Sequence, residues 1–307
     1  MMTRKSNSKL EMMFVLGFLL TLIISFGAFY FGLNIGIEKT EARYAYLKEV
    51  PPGQETALSY QQQDLVTFYY VVFQPYQQFK EDYLALVDEL ARSNSNAVTN
   101  EAIKQISENA NTQYAQIAGQ YISDSSPLLK QAQTDYLKSL KLFEEGTTQV
   151  KTAVKGKKGS ELIEALAADE FTSNAQSFGL QAQQKYYSSI LKWTAKTNQE
   201  IPDSLVYKDT LTIKEWSQYP LAVKNKIVTD MMVNDKIYAS YLPQDLTVKI
   251  DQMINSSTAE TLQLKSVASI VKVLTETQAV KEQEFVKWRT AYYASESLPQ
   301  LPFFTEE

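Results

Sequence analysis

Residues 65–90 read LVTFYYVVFQPYQQFKEDYLALVDEL, and the spacing of their apolar side chains decides the fold class. Leu65, Tyr69 and Phe73 recur every four residues, and Tyr83, Leu86 and Leu90 continue at intervals of three and four. That period marks one face of an α-helix, not the alternation of a strand. The segment predicts a long helix over about 54–92. A kink is expected at Pro75, because its ring clashes with the preceding turn and its nitrogen donates no hydrogen bond.

Further along the chain the helical period persists. The polar SNSN at 93–96 ends the first helix, and a second is expected over about 100–122. Ser126-Pro127 pairs a cap residue with a proline suited to the first helical position. The third helix carries Leu129, Tyr136, Leu140 and Phe143 toward Val154, and a KGKKG loop at 155–159 separates it from a fourth stretch over 160–197, bent near Ser173 or Gly179. Between 198 and 257, Pro202, Pro220 and Pro243 divide the sequence into short helices. Thr212 with Glu215, and Ser257 with Glu260, have the spacing of capping boxes. The second is read as the start of a last long helix, 258–295, burying Val267, Ile270, Val271, Leu274, Phe285, Trp288 and Tyr292.

Before the bundle comes MMFVLGFLLTLIISFGAFYFGL, Met12 to Leu33, 22 residues without a charge. At about 1.5 Å per residue it is long enough for the roughly 30 Å hydrocarbon core of a bilayer. The rival reading, a signal peptide cleaved near Ser25 or Gly27, has to explain why the apolar run continues through Ile37. The expected architecture is all-α, a single N-terminal transmembrane helix followed by a multi-helix bundle ectodomain. Its parts are a short cytoplasmic tail (1–11), a signal-anchor helix (12–37), a stalk (38–53) closed by Pro51-Pro52-Gly53, the bundle (54–296) and an irregular tail (297–307). Lysine and arginine flank the span about equally, so the N-in, C-out orientation rests on the compact Arg4, Lys5, Lys9 cluster and the shortness of the leading segment. Gly17, Thr21, Ser25, Ala28, Gly32 and Gly36 share one face of the span, and such stripes let transmembrane helices approach closely. A protein partner or a second copy of the chain is expected there.

Composition removes whole classes of chemistry. The chain of 307 residues contains no cysteine and no histidine. Thiolate zinc sites, iron–sulfur clusters, cysteine nucleophiles and Ser-His-Asp triads are therefore excluded. Of the 30 basic and 35 acidic residues, only Arg4, Lys5, Lys9 and Glu11 precede residue 38, which leaves the remainder at net −7. An acidic domain is poorly suited to neutralising phosphates, so nucleic acid is not an expected partner.

What remains is sparse. Glu81-Asp82 and Asp88-Glu89 lie seven residues apart on one helical face, an arrangement more often solvated than chemical. The di-iron bundle pattern needs histidine, and neither an EF-hand loop nor any cofactor motif is present. Lys151, Lys155, Lys157 and Lys158 form a basic cluster suited to an anionic polymer or lipid headgroup, although a lysine-rich loop after a helix is ordinarily just solvated. The aromatic clusters at 68–79, Tyr186-Tyr187 with Trp193, and Trp288 with Tyr292-Tyr293 read as bundle core, while Phe303-Phe304 in the tail look for a surface on the bundle or on a partner. The leading functional expectation is a non-catalytic, membrane-anchored interaction or scaffold component of a bacterial-type cell envelope. An extracytoplasmic ligand-binding or sensing module working through a partner stays open. So does a carboxylate-based hydrolase of cell-wall glycan, which requires an acidic cleft with one carboxyl held protonated by burial.

Overall fold

A computed structural model of the protein describes residues 60–92, 96–153 and 159–305. The span 12–37 with its small-residue stripe, the stalk 38–53 and Lys155, Lys157 and Lys158 lie outside the described residues, as does the side chain of Lys151. Among the described residues the chain is an all-helical, multi-helix bundle whose one β-type pairing is the isolated bridge between Thr212 and Ser266. None of these helices is long and apolar enough to cross a membrane.

The first rod consists of α1 (Gln62–Phe68), a π-helical turn (Tyr69–Phe73) and α2 (Gln74–Arg92), all running on without a break. The π turn is how the backbone accommodates Pro75. The Gln74 N–H reaches back five residues to the Tyr69 carbonyl, which widens the turn just before a residue that cannot donate. Then follow α3 (Asn96–Ala118), α4 (Pro127–Ala153), α5 (Gly159–Ala168) and α6 (Glu170–Thr197). Helix α4 does begin at Pro127, but the Ser126 hydroxyl donates to Asp64 at 2.8 Å, tying the loop to the first turn of α1. The fourth helical stretch breaks earlier than its sequence indicated. Asp169 leaves the helix and its carboxylate accepts from the Thr172 N–H at 2.7 Å, starting α6 afresh.

Helices α4 and α6 share the most extensive interface, and α2 lays its aromatic face over them. Tyr76 stands 4.1 Å from Tyr136 by ring centroids, Phe79 5.0 Å from Phe143, and Phe73 4.9 Å from Tyr186. The Tyr76 hydroxyl hydrogen-bonds Ser139 at 2.7 Å and Tyr238 at 3.0 Å. It fits because residue 179 of α6 is glycine: a Cβ there would lie 2.0 Å from that oxygen. Helix α6 is continuous through this position, so Gly179 provides room where the sequence had indicated a bend.

The second half adds α7 (Ile213–Trp216), α8 (Leu221–Asn234), α9 (Pro243–Asn255), α10 (Thr258–Thr261), α11 (Val267–Glu276) and α12 (Glu284–Tyr292). Trp216, Val223, Ile227, Met231, Leu246, Ile250 and the Val267–Leu274 face make a second core. At one edge Asp251 gathers Trp216 Nε1 at 2.6 Å, Lys224 Nζ at 2.9 Å and the Tyr293 hydroxyl. The capping box at Thr212 forms, with Glu215 Oε2 accepting from the Thr212 N–H at 2.8 Å.

The long helix expected over 258–295 does not exist as one element. Ser257 has φ 56° and precedes a helix at Thr258 as expected, but its side chain makes no cap, and that helix, α10, ends at Thr261 with two further short helices after it. The breaks share a geometry. Lys236, Gln263 and Gln278 adopt left-handed backbone angles of 54°, 55° and 51° after α8, α10 and α11. In each case the next N–H bonds a carbonyl five residues back, at 2.9 Å for Ile237 and Leu264 and 3.0 Å for Ala279, and that next side chain turns onto the second core. These are Schellman closures made without glycine. Of the residues assigned to the buried face, Val267, Ile270, Val271, Leu274 and Phe285 are buried, but Trp288 is 41% exposed and Tyr293 takes the interior place.

Two substitutions probe these constraints. Gly179→Ala is expected to lower stability by about 1–3 kcal/mol, because Tyr76 is locked by two hydrogen bonds and cannot easily retreat. Gln278→Gly relieves a left-handed side chain and is expected to raise stability by up to about 1 kcal/mol. Urea denaturation of the two variants with an unchanged m value checks both.

Candidate functional site

Four polar residues of α2, Gln74, Gln77, Gln78 and Glu81, recur at the three- and four-residue spacing that places them on one helical face. Opposite this face stand the segment from Ser240 into the first turn of α9, the segment from Glu282 into α12, and the C-terminal Pro302–Phe304 turn. Together they enclose a cleft of about 430 Å³. Gln74, Gln78, Glu81, Glu282 and Gln283 form an exposed rim, while Phe73, Gln77, Gln244 and Asp245 are buried beneath it.

Each floor residue has a local cause. Phe303, from the tail, lies 5.6 Å from Tyr69 and 5.7 Å from Phe73, so rings line the side next to the π turn. The tail is thus docked, with Leu301 and Phe304 buried in the core. Gln244 accepts a hydrogen bond from the Tyr187 hydroxyl and donates to the Phe303 carbonyl at 3.5 Å. Asp245 accepts from the Leu242 N–H at 3.0 Å and the Phe285 N–H at 2.9 Å, and so caps α9 and α12 with one carboxylate. Gln77 is the exception. Its side chain is 8% exposed, it lines the cleft, and its Oε1 has no hydrogen-bond partner.

Charge in the cleft is one-sided. Glu81, Asp245 and Glu282 line it with no lysine or arginine among the lining residues. Desolvation pushes the Asp245 carboxyl up to about 6, against the opposing pull of the backbone N–H groups of Phe285, Leu242 and Gln283. Glu81 is raised by desolvation first and then by the charge of Glu282. Behind the wall sits Lys80, 3% exposed, with its Nζ 6.0 Å from the Tyr238 ring centre and no carboxylate of the described residues within ion-pair distance. Burial lowers its ammonium to about 8, and Glu81, Glu282 and Asp245 only partly oppose that.

The acid pairs noted in the sequence separate here. Asp88 pairs with Arg92 on an exposed face. Asp82 turns to Gln78 and to Asn109, at 3.0 and 3.4 Å. Only Glu81 reaches the cleft, where Glu282 joins it from another element. Asp245, Gln77 and Gln244 carried no sequence signal, since lone Asp and Gln residues have no motif. Asp245, the buried carboxyl of the cleft, spends both oxygens on backbone N–H groups. Comparison with known proteins gives no further guide: no family model, no curated protein and no solved structure matches the chain.

Lys80 makes the site testable through stability. Its proton leaves at about pH 8 in the folded chain and near 10.5 when exposed. The unfolded state therefore binds more protons between these values, and the folded state gains stability as pH rises across them. Urea stability is expected to climb from pH 8 to 10, and Lys80→Met should abolish that rise. Above this window buried tyrosines such as Tyr76, pushed up to about 12, favour unfolding in turn.

Proposed function

We propose that the chain is a single-pass membrane protein whose helical ectodomain serves, without catalysis, as an interaction component of a bacterial-type cell envelope. In this reading the N-terminus is cytoplasmic and the C-terminal domain extracytoplasmic. The observation that carries the proposal is the uncharged run Met12–Leu33, long enough to span and joined through a Pro-Pro-Gly break to a large helical bundle. The stripe of Gly17, Thr21, Ser25, Ala28, Gly32 and Gly36 supports a partner within the bilayer. The acidic character of the rest favours protein or small-molecule partners over nucleic acid.

A second reading, a ligand-binding module that signals through a partner, is favoured by the cleft of about 430 Å³ with its acidic rim of Glu81 and Glu282. The two readings are compatible, since an anchored scaffold can carry a ligand site.

Membrane fractionation tests the first reading. The protein is expected to remain in membranes after carbonate and high-salt washing, with residues 1–37 retained, and protease added outside wall-stripped cells is expected to digest the large domain. A mature N-terminus near Ala28, or protection of the domain until lysis, contradicts it.

A further inference from the structure

We propose that the wall of the cleft is an acid-tightened clasp: with its carboxyls protonated the segment leading into α12 stays seated on α9 and α2, and with them ionised that segment opens locally while the rest of the bundle stays folded. The device needs no ligand. It goes beyond the envelope role and does not rely on the anchor.

The geometry gathers the attachment of this segment on one side chain. Asp245 accepts from the Phe285 N–H at 2.9 Å, from the Gln283 N–H, and from the Leu242 N–H of its own helix at 3.0 Å. One ion pair, Lys249 to Glu284 at 3.5 Å, adds to it. The chain enters the segment through Gln278 and leaves it through Gln283, with left-handed φ angles of 51° and 61° and a side chain at both. Such conformations cost energy that is recovered when the chain is free to turn back. Residues 279–283 form no helix, and their side chains from Lys281 to Gln283 are exposed, so the wall here has few contacts of its own. Phe285, fully buried, is the pivot.

Charge supplies the sign. Around Asp245, α2 presents Glu81 and the buried Lys80, while Asp82 turns away to Gln78 and Asn109. The segment presents Glu282 and Glu284, α9 contributes Lys249, and the Tyr187 phenol of α6, raised by desolvation, stays neutral. Four carboxylates thus stand on three elements against two ammonium groups. When all are ionised, the excess negative charge pushes the walls apart, and opening relieves it and hydrates Asp245. Burial acts in the same direction: desolvation carries the Asp245 carboxyl up to about 6 although three N–H groups oppose it, and it raises Glu81, with the charge of Glu282 next in effect. In the open segment Asp245 is hydrated and returns toward its ordinary 3.8. The seated form therefore holds more protons between these values, so acid favours it and a rise of pH through about 6 favours opening.

Hydrogen exchange of the full chain in detergent micelles, read by mass spectrometry and divided by the intrinsic rate at each pH, tests this. Peptides covering 279–287 are expected to be less protected than those of α4 and α6, because they exchange through the local opening. Their protection is expected to fall by about 10-fold between about pH 5 and about pH 7, the linkage of one carboxyl moving from about 6 to 3.8. Asp245→Asn, which keeps the size and removes the titration, should flatten most of that fall. Glu81→Gln, at an exposed position that leaves the core intact, should reduce it. Protection of 279–287 equal to that of α4 and α6 means the segment opens only with the whole bundle and overturns the proposal. So does protection that stays level or rises from pH 5 to pH 7, and so does a fall left unchanged by both substitutions. Should Asp245→Asn fail to fold, Glu81→Gln decides alone: a smaller fall supports the clasp, and an unchanged one overturns it.

Discussion

The phenol of Tyr76 meets α6 at Gly179, and the spacing of α2, α4 and α6 follows from that meeting. One hydroxyl links α2 to Ser139 of α4 and to Tyr238 after α8, and the Ser139 hydroxyl in turn donates to the Ala175 carbonyl of α6 at 2.6 Å. A buried hydroxyl left without partners is costly, so the chain is committed to bringing all of these elements to one point. Once Tyr76 is placed, the rotation of α2 about its axis is settled. Phe79 and Tyr83 go inward, and the polar face beginning at Gln74 turns toward α9 and α12. The cleft is thus a by-product of how the aromatic face of α2 seats on α4 and α6.

Helix α9 holds the other side through two aspartates with different roles. Asp251, facing inward, compensates a buried lysine and satisfies an indole and a phenol at once. Asp245, at the first turn, is spent on backbone groups that would otherwise be orphaned at two helix starts. Lys80 differs from both. It is buried with no hydrogen-bonded acid among the described residues, and more distant carboxylates help to hold its charge. Among the described residues Lys224 with Asp251 and Lys185 with Asp135 form ion pairs, whereas Lys80 has no carboxylate within ion-pair distance.

The all-helical class was legible because the apolar period of 65–90 and 127–154 is long and clean. The start of α4 at Pro127 and the box at Thr212 were legible because Pro and Thr-x-x-Glu act through local chemistry. The breaks in the last third were not. A search for helix ends looks for glycine or proline, whereas this chain closes helices on Lys236, Gln263 and Gln278, residues that enter the left-handed region only because the following apolar side chain gains burial. That gain is tertiary and leaves no local mark. The same reason hid most of the site: Glu81 was noticed beside Asp82, but its cleft neighbours come from positions about 160 to 220 residues further along the chain, where lone Gln and Asp residues carry no pattern.

The docking of the tail bears on how the domain comes into being. Phe303 completes the ring cluster around Tyr69 and Phe73, Phe304 packs on Phe285, and the Gln300 N–H approaches Gln62 at 3.4 Å, so the last described turn closes onto the first helix. These contacts span almost the whole domain in sequence, and loop closure of that length is the slow part of assembling a core. A nascent chain can build α2 against α4 and α6 early, but the aromatic floor stays uncovered until Phe303 and Phe304 are available to close it. Until that closure the unfinished domain presents rings to whatever chaperone holds it.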